Sequence, residues 1–292
     1  RRTATEGEIS RCAAIIAIVA LGCLTYSNSF ENSFHYDDEH SILENPNIRS
    51  LANIPQFFVD AGAFSGLDEA RMYRPLLLVT LALNYTFGEY DPFGYLLVNL
   101  LFHISNAVLL WSLAARLGAR PREALLAALI FVVHPVATEP VNYISSRSSL
   151  LAALCFLVGM GLLARPHWRG LPWAASMSIC VCYLGGLASK AVAASFPVVA
   201  ATYLWGRARF RHWHLPAALL VITAVYAAGT RAIISKAVLE PVRTLGVQAA
   251  TQAKAFVFYI YTVFMPVRQS VEPQFSMATS WLETPVVIAL LL

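Results

Sequence analysis

Charge is scarce in this sequence. Only 13% of its 292 residues are Asp, Glu, Lys or Arg, against roughly 25% in an average soluble domain. That shortage, with 58% hydrophobic residues, excludes an ordinary water-soluble globule. No glycine-rich phosphate loop and no soluble stretch of domain size is present, which excludes nucleotide hydrolysis on a cytoplasmic domain of this chain. Nor is there a repeat of fixed period. The five cysteines, Cys12, Cys23, Cys155, Cys180 and Cys182, are odd in number and all fall inside apolar runs, so no disulfide framework is expected. Cys180 and Cys182 would project to nearly opposite sides of a helix and cannot grip one metal. All five are read as small core residues. The net charge of +4 calls for no nucleic-acid partner, because the basic residues collect in short joints where membrane topology requires them.

What the sequence does have is a series of long apolar blocks separated by short charged joints. This is the pattern of an all-α polytopic membrane protein rather than a barrel. Spans are predicted over 12–30, 94–113, 123–133, 148–164, 171–188, 191–205 and 215–230. The third is broken by His134-Pro135. Arg1, Arg2 and Arg11 place the amino terminus in the cytoplasm, and the joints around Arg116 to Arg122, Arg165 to Arg169 and Arg207 to Arg211 follow the same rule. The block 255–265 is barely long enough to cross, so the topology of 231–285 stays open. The chain has no initiating Met and ends inside the apolar run 285–292, as expected of a piece of a longer protein whose downstream domain is missing.

This topology leaves residues 31–93 as a large outer loop rich in Asp and Glu, with apolar blocks at 51–59 and 75–87 that read as helices lying along the membrane surface. Near its start stands Asp37-Asp38-Glu39, just past the first span. The predicted outer ends of the spans add Arg74, His134, Glu139, Arg147, Lys190 and, depending on the topology, Glu272. Cations at the lip of a membrane helix snorkel, pair or hold an anion. An acid beside them could take a proton from a hydroxyl while they neutralise a phosphate leaving group. Each residue also has a plainer reading as a solvated loop charge or interfacial anchor. His35, Asp37 and His40 form a weaker, irregularly spaced alternative as a divalent-metal set; no cofactor is firmly expected. Asn84-Tyr85-Thr86 matches a glycosylation acceptor, yet its apolar setting predicts a buried, unmodified Asn. Trp205, Trp213 and Trp281 read as interfacial anchors.

Several of these residues fall in an ordered set of short motifs. They are Tyr36-Asp37-Asp38, Asn45-Pro46, Tyr73-Arg74-Pro75-Leu76, Leu83-Asn84-Tyr85, Asn99-Leu100-Leu101-Phe102-His103, His134-Pro135-Val136 with Glu139, Ser146-Arg147 and Ser189-Lys190. The set resembles the membrane part of the transmembrane O-mannosyltransferases that carry tetratricopeptide repeats, together with their bacterial relatives. The resemblance runs from about Phe34 to Pro285. It implies the multispanning GT-C glycosyltransferase fold and transfer of a sugar, usually with inversion, from a polyprenyl-phosphate carrier outside the cytoplasm.

The resemblance further implies that Asp37, or as second choice Asp38, is the base. It makes Arg74, Arg147 and Lys190 the ligands of the carrier phosphate, with His134, Glu139 and Glu272 in acceptor or supporting roles. The partners would be a polyprenyl-phosphate sugar, a protein or glycolipid acceptor and membrane lipids, in a bacterial inner membrane or the endoplasmic reticulum. Two positions depart from the family's pattern: Ser149 in Ser146-Arg147-Ser148-Ser149 and Ala191 in Ser189-Lys190-Ala191 each replace a carboxylate beside a cation. Two other function classes fit the composition: a transporter or flippase of an anionic lipid or solute, and a non-catalytic membrane anchor. The first would set charges or broken helices at mid-membrane, whereas the charges here sit at predicted span ends.

Overall fold

The computed structural model describes residues 10–67, 70–165, 172–207, 212–231, 244–267 and 276–291. Among these residues the chain is all helix and turn, with no strand. It forms two compact units, Arg1–Thr230 and Arg231–Leu292.

In the first unit, α1 (Arg11–Thr25) begins where the Ser10 hydroxyl accepts the Ala13 N–H, satisfying one of the orphan donors of a helix start. It is shorter than the sequence predicts, because the chain tightens after Thr25 into a 3-10 turn over Ser27–Glu31. Short turns and α2 (Ile54–Phe57) lead through the acidic segment to α3 (Pro75–Gly88). The two apolar blocks of that segment are thus helical, but the first yields only a 3-10 turn, Leu51–Asn53, followed by α2. Asn45 organises the segment: its buried amide donates to the carbonyls of Ser41, Ala63 and Phe64.

The centre of the unit is α4 (Pro92–Leu117), capped at its start by Asp91 and ended by Gly118 at φ 105°, a left-handed conformation that costs glycine little. Then come α5 (Pro121–Val133) and α6 (Thr138–Asn142). The axis bends by 51° between Pro121–Val133 and Pro135–Asn142, at the His134-Pro135 break that the sequence predicts. A turn over Ile144–Ser146 feeds α7 (Arg147–Leu163), and α8 (Trp173–Leu187), α9 (Phe196–Gly206) and α10 (His214–Gly229) follow. Pro92–Leu117 and Ile144–Leu163 are long and apolar enough to cross a membrane, and the bent pair is a third span if it counts as one; α1, α3, α8 and α10 are shorter apolar helices. The chain is an all-α membrane protein.

Packing follows from these faces. α4 pairs with α5 on one side and α7 on the other. α1 closes on α4 and α5 at Gly22, where a Cβ would stand 2.9 Å from Ile104 Cγ1 and 3.1 Å from Val132 Cγ2. Three apolar cores result: one under the acidic segment with Phe57, Phe64, Leu77 and Tyr95, one among α1, α4 and α5, and one joining α7 to α10 through Ile179, Tyr183 and Phe196. Cys155, Cys180 and Cys182 are partly buried, but Cys12 and Cys23 lie exposed on α1. Those two therefore correct the expectation of five core cysteines; the buried stripe of α1 is Ala14, Ile18 and Gly22. All five thiols are free. Trp205, Trp213 and Trp281 are exposed, as anchors would be.

The second unit contains α11 (Leu245–Phe264) and α12 (Thr284–Leu291). α11 begins ten residues before the block read from sequence; its polar first half carries Gln248, Gln252 and Lys254. Glu283 accepts the Thr279 N–H and hydroxyl and pairs with Lys254 at 3.2 Å. These partners pull its carboxyl down to about 2.

Candidate functional site

Three chain segments far apart in sequence meet at the starts of α3 and α7. The first contact is backbone: the Leu76 N–H donates to the Ala188 carbonyl at 3.0 Å. It ties the start of α3 to the end of α8 and so brings Arg74 and Lys190 to one place. The second is the turn before α7, which receives the acidic segment. Asp38 accepts both the N–H (2.8 Å) and the hydroxyl (2.6 Å) of Ser145, while its other oxygen faces the His35 N–H at 3.3 Å. Ser145 also shares a hydrogen bond with Ser41 at 2.8 Å.

Asp38 is 0% exposed. Burial raises its pKa above the usual carboxylate range, and the Ser145 hydrogen bonds oppose that rise. Its neighbour behaves differently. Asp37 keeps 52% of its side chain exposed, with a carboxylate oxygen 3.6 Å from His40 Nε2. Its N–H donates to the Tyr143 hydroxyl at 3.0 Å. The π-helical turn Glu39–Leu43 starts just after the pair, and the reversal there turns one carboxylate inward and the other out.

Arg147 is 0% exposed. Its guanidinium donates to Asn99 Oδ1 (2.6 Å), Asn84 Oδ1 (2.7 Å), the Tyr95 carbonyl (2.9 Å) and Thr80 Oγ1 (3.2 Å). All four acceptors are neutral oxygens on α3 and α4, so this cation joins three helices from within instead of standing at a rim. The partly buried Asn84 thereby has a structural partner. Arg74 and Lys190 remain half-buried beside the space in front of α7. Lys190 Nζ donates to Ser149 Oγ at 2.8 Å and Arg74 reaches Ser148 Oγ at 3.5 Å. Ser149, one of the two departures from the family pattern, is thus the neutral partner of Lys190.

Burial lowers the pKa of Arg74, opposed by the charge of Asp37; burial and then the neighbouring Arg74 lower that of Lys190, opposed by Glu139. Asp37, Arg74, Lys190 and Glu139 therefore share one electrostatic neighbourhood. Two cations at the start of a 17-residue helix, whose dipole also favours negative charge, make a setting for a phosphate. An exposed carboxylate stands beside them.

The other predicted residues take supporting places. Glu139 is exposed and accepts the Ser146 hydroxyl at 2.9 Å. His134 accepts the Val136 N–H at the bend between α5 and α6. Glu272 lies outside the described residues. His35 Nδ1 donates to the Ser33 carbonyl and His40 Nδ1 meets the Ser65 hydroxyl. Among the described residues no three His, Cys, Asp or Glu side chains are grouped to hold a metal ion. The reading from sequence missed Tyr143, Ser145 and Ser148, whose only signal was their position around the Ser146-Arg147 motif.

Over about half of its length the chain is homologous to protein O-mannosyl-transferases. It is 33% identical over 146 residues to TMTC3 of Mus musculus, covering 49% of this chain and 16% of that relative. It is 32% identical over 161 residues to TMTC4 of Homo sapiens, covering 49% and 22%. Against Tmtc1 of Drosophila melanogaster it is 30% identical over 204 residues, 66% of this chain and 23% of the relative. The chain thus spans less than a quarter of the length of these curated relatives. No family model and no solved structure matches it.

Proposed function

We propose that this chain is the membrane part of an inverting glycosyltransferase that moves a sugar, mannose by analogy with the names of its relatives, from a polyprenyl phosphate to a hydroxyl of a protein acceptor. The exposed Asp37 beside Arg74 and Lys190 at the start of α7 is the observation that carries this reading. Asp37 takes the acceptor's hydroxyl proton. The oxygen attacks the anomeric carbon from the face opposite the carrier, and the bond from that carbon to the phosphate oxygen breaks with inversion. The departing phosphate gains a negative charge, which Arg74, Lys190 and the positive end of α7 stabilise.

Asp38 and Arg147 have different parts in this scheme. With its oxygens bound to Ser145 and His35 and no exposed surface, Asp38 holds the loop that presents Asp37. Arg147, spent on four neutral oxygens, sets the start of α7 rather than touching the carrier. A membrane-bound donor fits the location, because a polyprenyl tail remains in the bilayer while its phosphate reaches the helix ends. The basic joints at the opposite helix ends support a multi-pass topology with this site on the outer face of a bacterial inner membrane or of the endoplasmic reticulum.

The test is sugar transfer by the purified full-length protein from a polyprenyl-phosphate mannose to a threonine-bearing peptide. Asp37→Asn should lower kcat by about 100-fold or more while leaving the unfolding temperature unchanged. Transfer by the variant at the wild-type rate would remove Asp37 from the chemistry.

A further inference from the structure

The most unusual backbone in the site belongs to neither an acid nor a cation. Tyr36 has φ 54°, a left-handed conformation that is uncommon for a bulky side chain and concentrates where structure serves function. The residue remains 57% exposed, so the strain is not offset by burial. The turn that needs this conformation would be relieved by glycine. Around Tyr36 the rings form a group: His35 stacks on Tyr143 at 5.3 Å, and Tyr36 stands edge-on to His35 at 5.5 Å and to Tyr143 at 6.1 Å. Tyr143 also holds the Asp37 N–H. The three rings are therefore fixed in register with the carboxylate, and among the described residues the Tyr36 hydroxyl bonds none.

We propose that Tyr36 is an acceptor-specificity residue: its exposed ring, backed by His35 and Tyr143, forms a wall on which a serine- or threonine-bearing peptide lies with its hydroxyl against Asp37. This rests on the assignment of Asp37 as the base, since groups next to a base meet the hydroxyl it deprotonates. The cations that would hold the carrier phosphate stand toward Ser148 and Ser149, so the wall belongs to the other reactant. Its face is aromatic, which suits an uncharged, partly apolar stretch of extended chain better than a phosphate.

Two measurements on the purified full-length protein test the proposal. In transfer assays Tyr36→Gly, which keeps the left-handed turn and removes the ring, should raise the KM for a threonine peptide about tenfold, with the donor KM within about twofold. Tyr36→Phe should restore the wild-type peptide KM. In direct binding, a fluorescent threonine peptide should bind the Asp37→Asn protein and bind about tenfold more weakly once Tyr36→Gly is added. An unchanged peptide KM in Tyr36→Gly, a rise in the donor KM instead, or a wild-type protein that binds no peptide would each overturn the assignment. Peptide binding that depends on Tyr36 in a protein without transferase activity would sustain the wall and refute the proposed function instead.

Discussion

Two layers meet at the start of α7, and they solve opposite problems. The floor, Asp38 with Ser145 and Arg147 with Asn84 and Asn99, is sealed: both charged groups are 0% exposed and their hydrogen-bond partners are neutral. The rim, Asp37, Arg74 and Lys190, keeps its charged groups partly open and engages them only lightly. A charge buried without compensation is costly, so the floor spends its hydrogen-bonding capacity on holding helices in place. The rim leaves that capacity for something else to bind. The adjacent Asp37 and Asp38, and likewise Arg74 and Arg147, thus fall on opposite sides of the same boundary.

The largest effect on this contrast should come from Arg147→Met. It leaves the oxygens of the buried Asn99 and the partly buried Asn84 without their donor, and thermal unfolding in detergent should show a loss of about 3 kcal/mol or more. An unfolding temperature equal to wild type would mean that the floor does not hold the helices. Lys190→Met should act on the other layer. A donor KM about tenfold higher, with little change in unfolding temperature, is the expected result, whereas a large drop in stability would move Lys190 from rim to floor.

The smallest effect is one of pH. Because burial raises the Asp38 carboxyl in the folded state, its stabilising contribution is fully present below its unfolded value near 3.8 and is lost as pH rises through the folded value. Measured against Asp38→Asn, wild-type stability should therefore rise as pH falls across that window. A difference between the two proteins that does not change with pH would show that Asp38 is not charged and desolvated in the floor.

Much of the architecture was legible in one dimension. The apolar blocks predicted the helices, although α4 runs past both ends of the predicted span 94–113, and His134-Pro135 marked the 51° bend. Motif order picked out residues that the fold gathers in one place: Asp37, Asp38, Arg74, Arg147 and Lys190 meet at the starts of α3 and α7. Their division of labour was not legible. Asp38 meets Ser145 across 107 residues and Arg147 meets Thr80 across 67, and no local pattern reports a partner that distant. The two exposed cysteines of α1 teach the same point: an apolar run predicts a helix, but not which of its faces is covered.

Composition and the length of the apolar blocks, through the cost of leaving backbone polar groups unpaired in lipid, by themselves determined that this chain is an all-α membrane protein and that His134-Pro135 breaks one of its helices. Which charges are enclosed and which are open was decided only when α3, α4, α7 and the acidic segment packed together, because the energy of a charge depends on how much water and how many donors surround it in three dimensions.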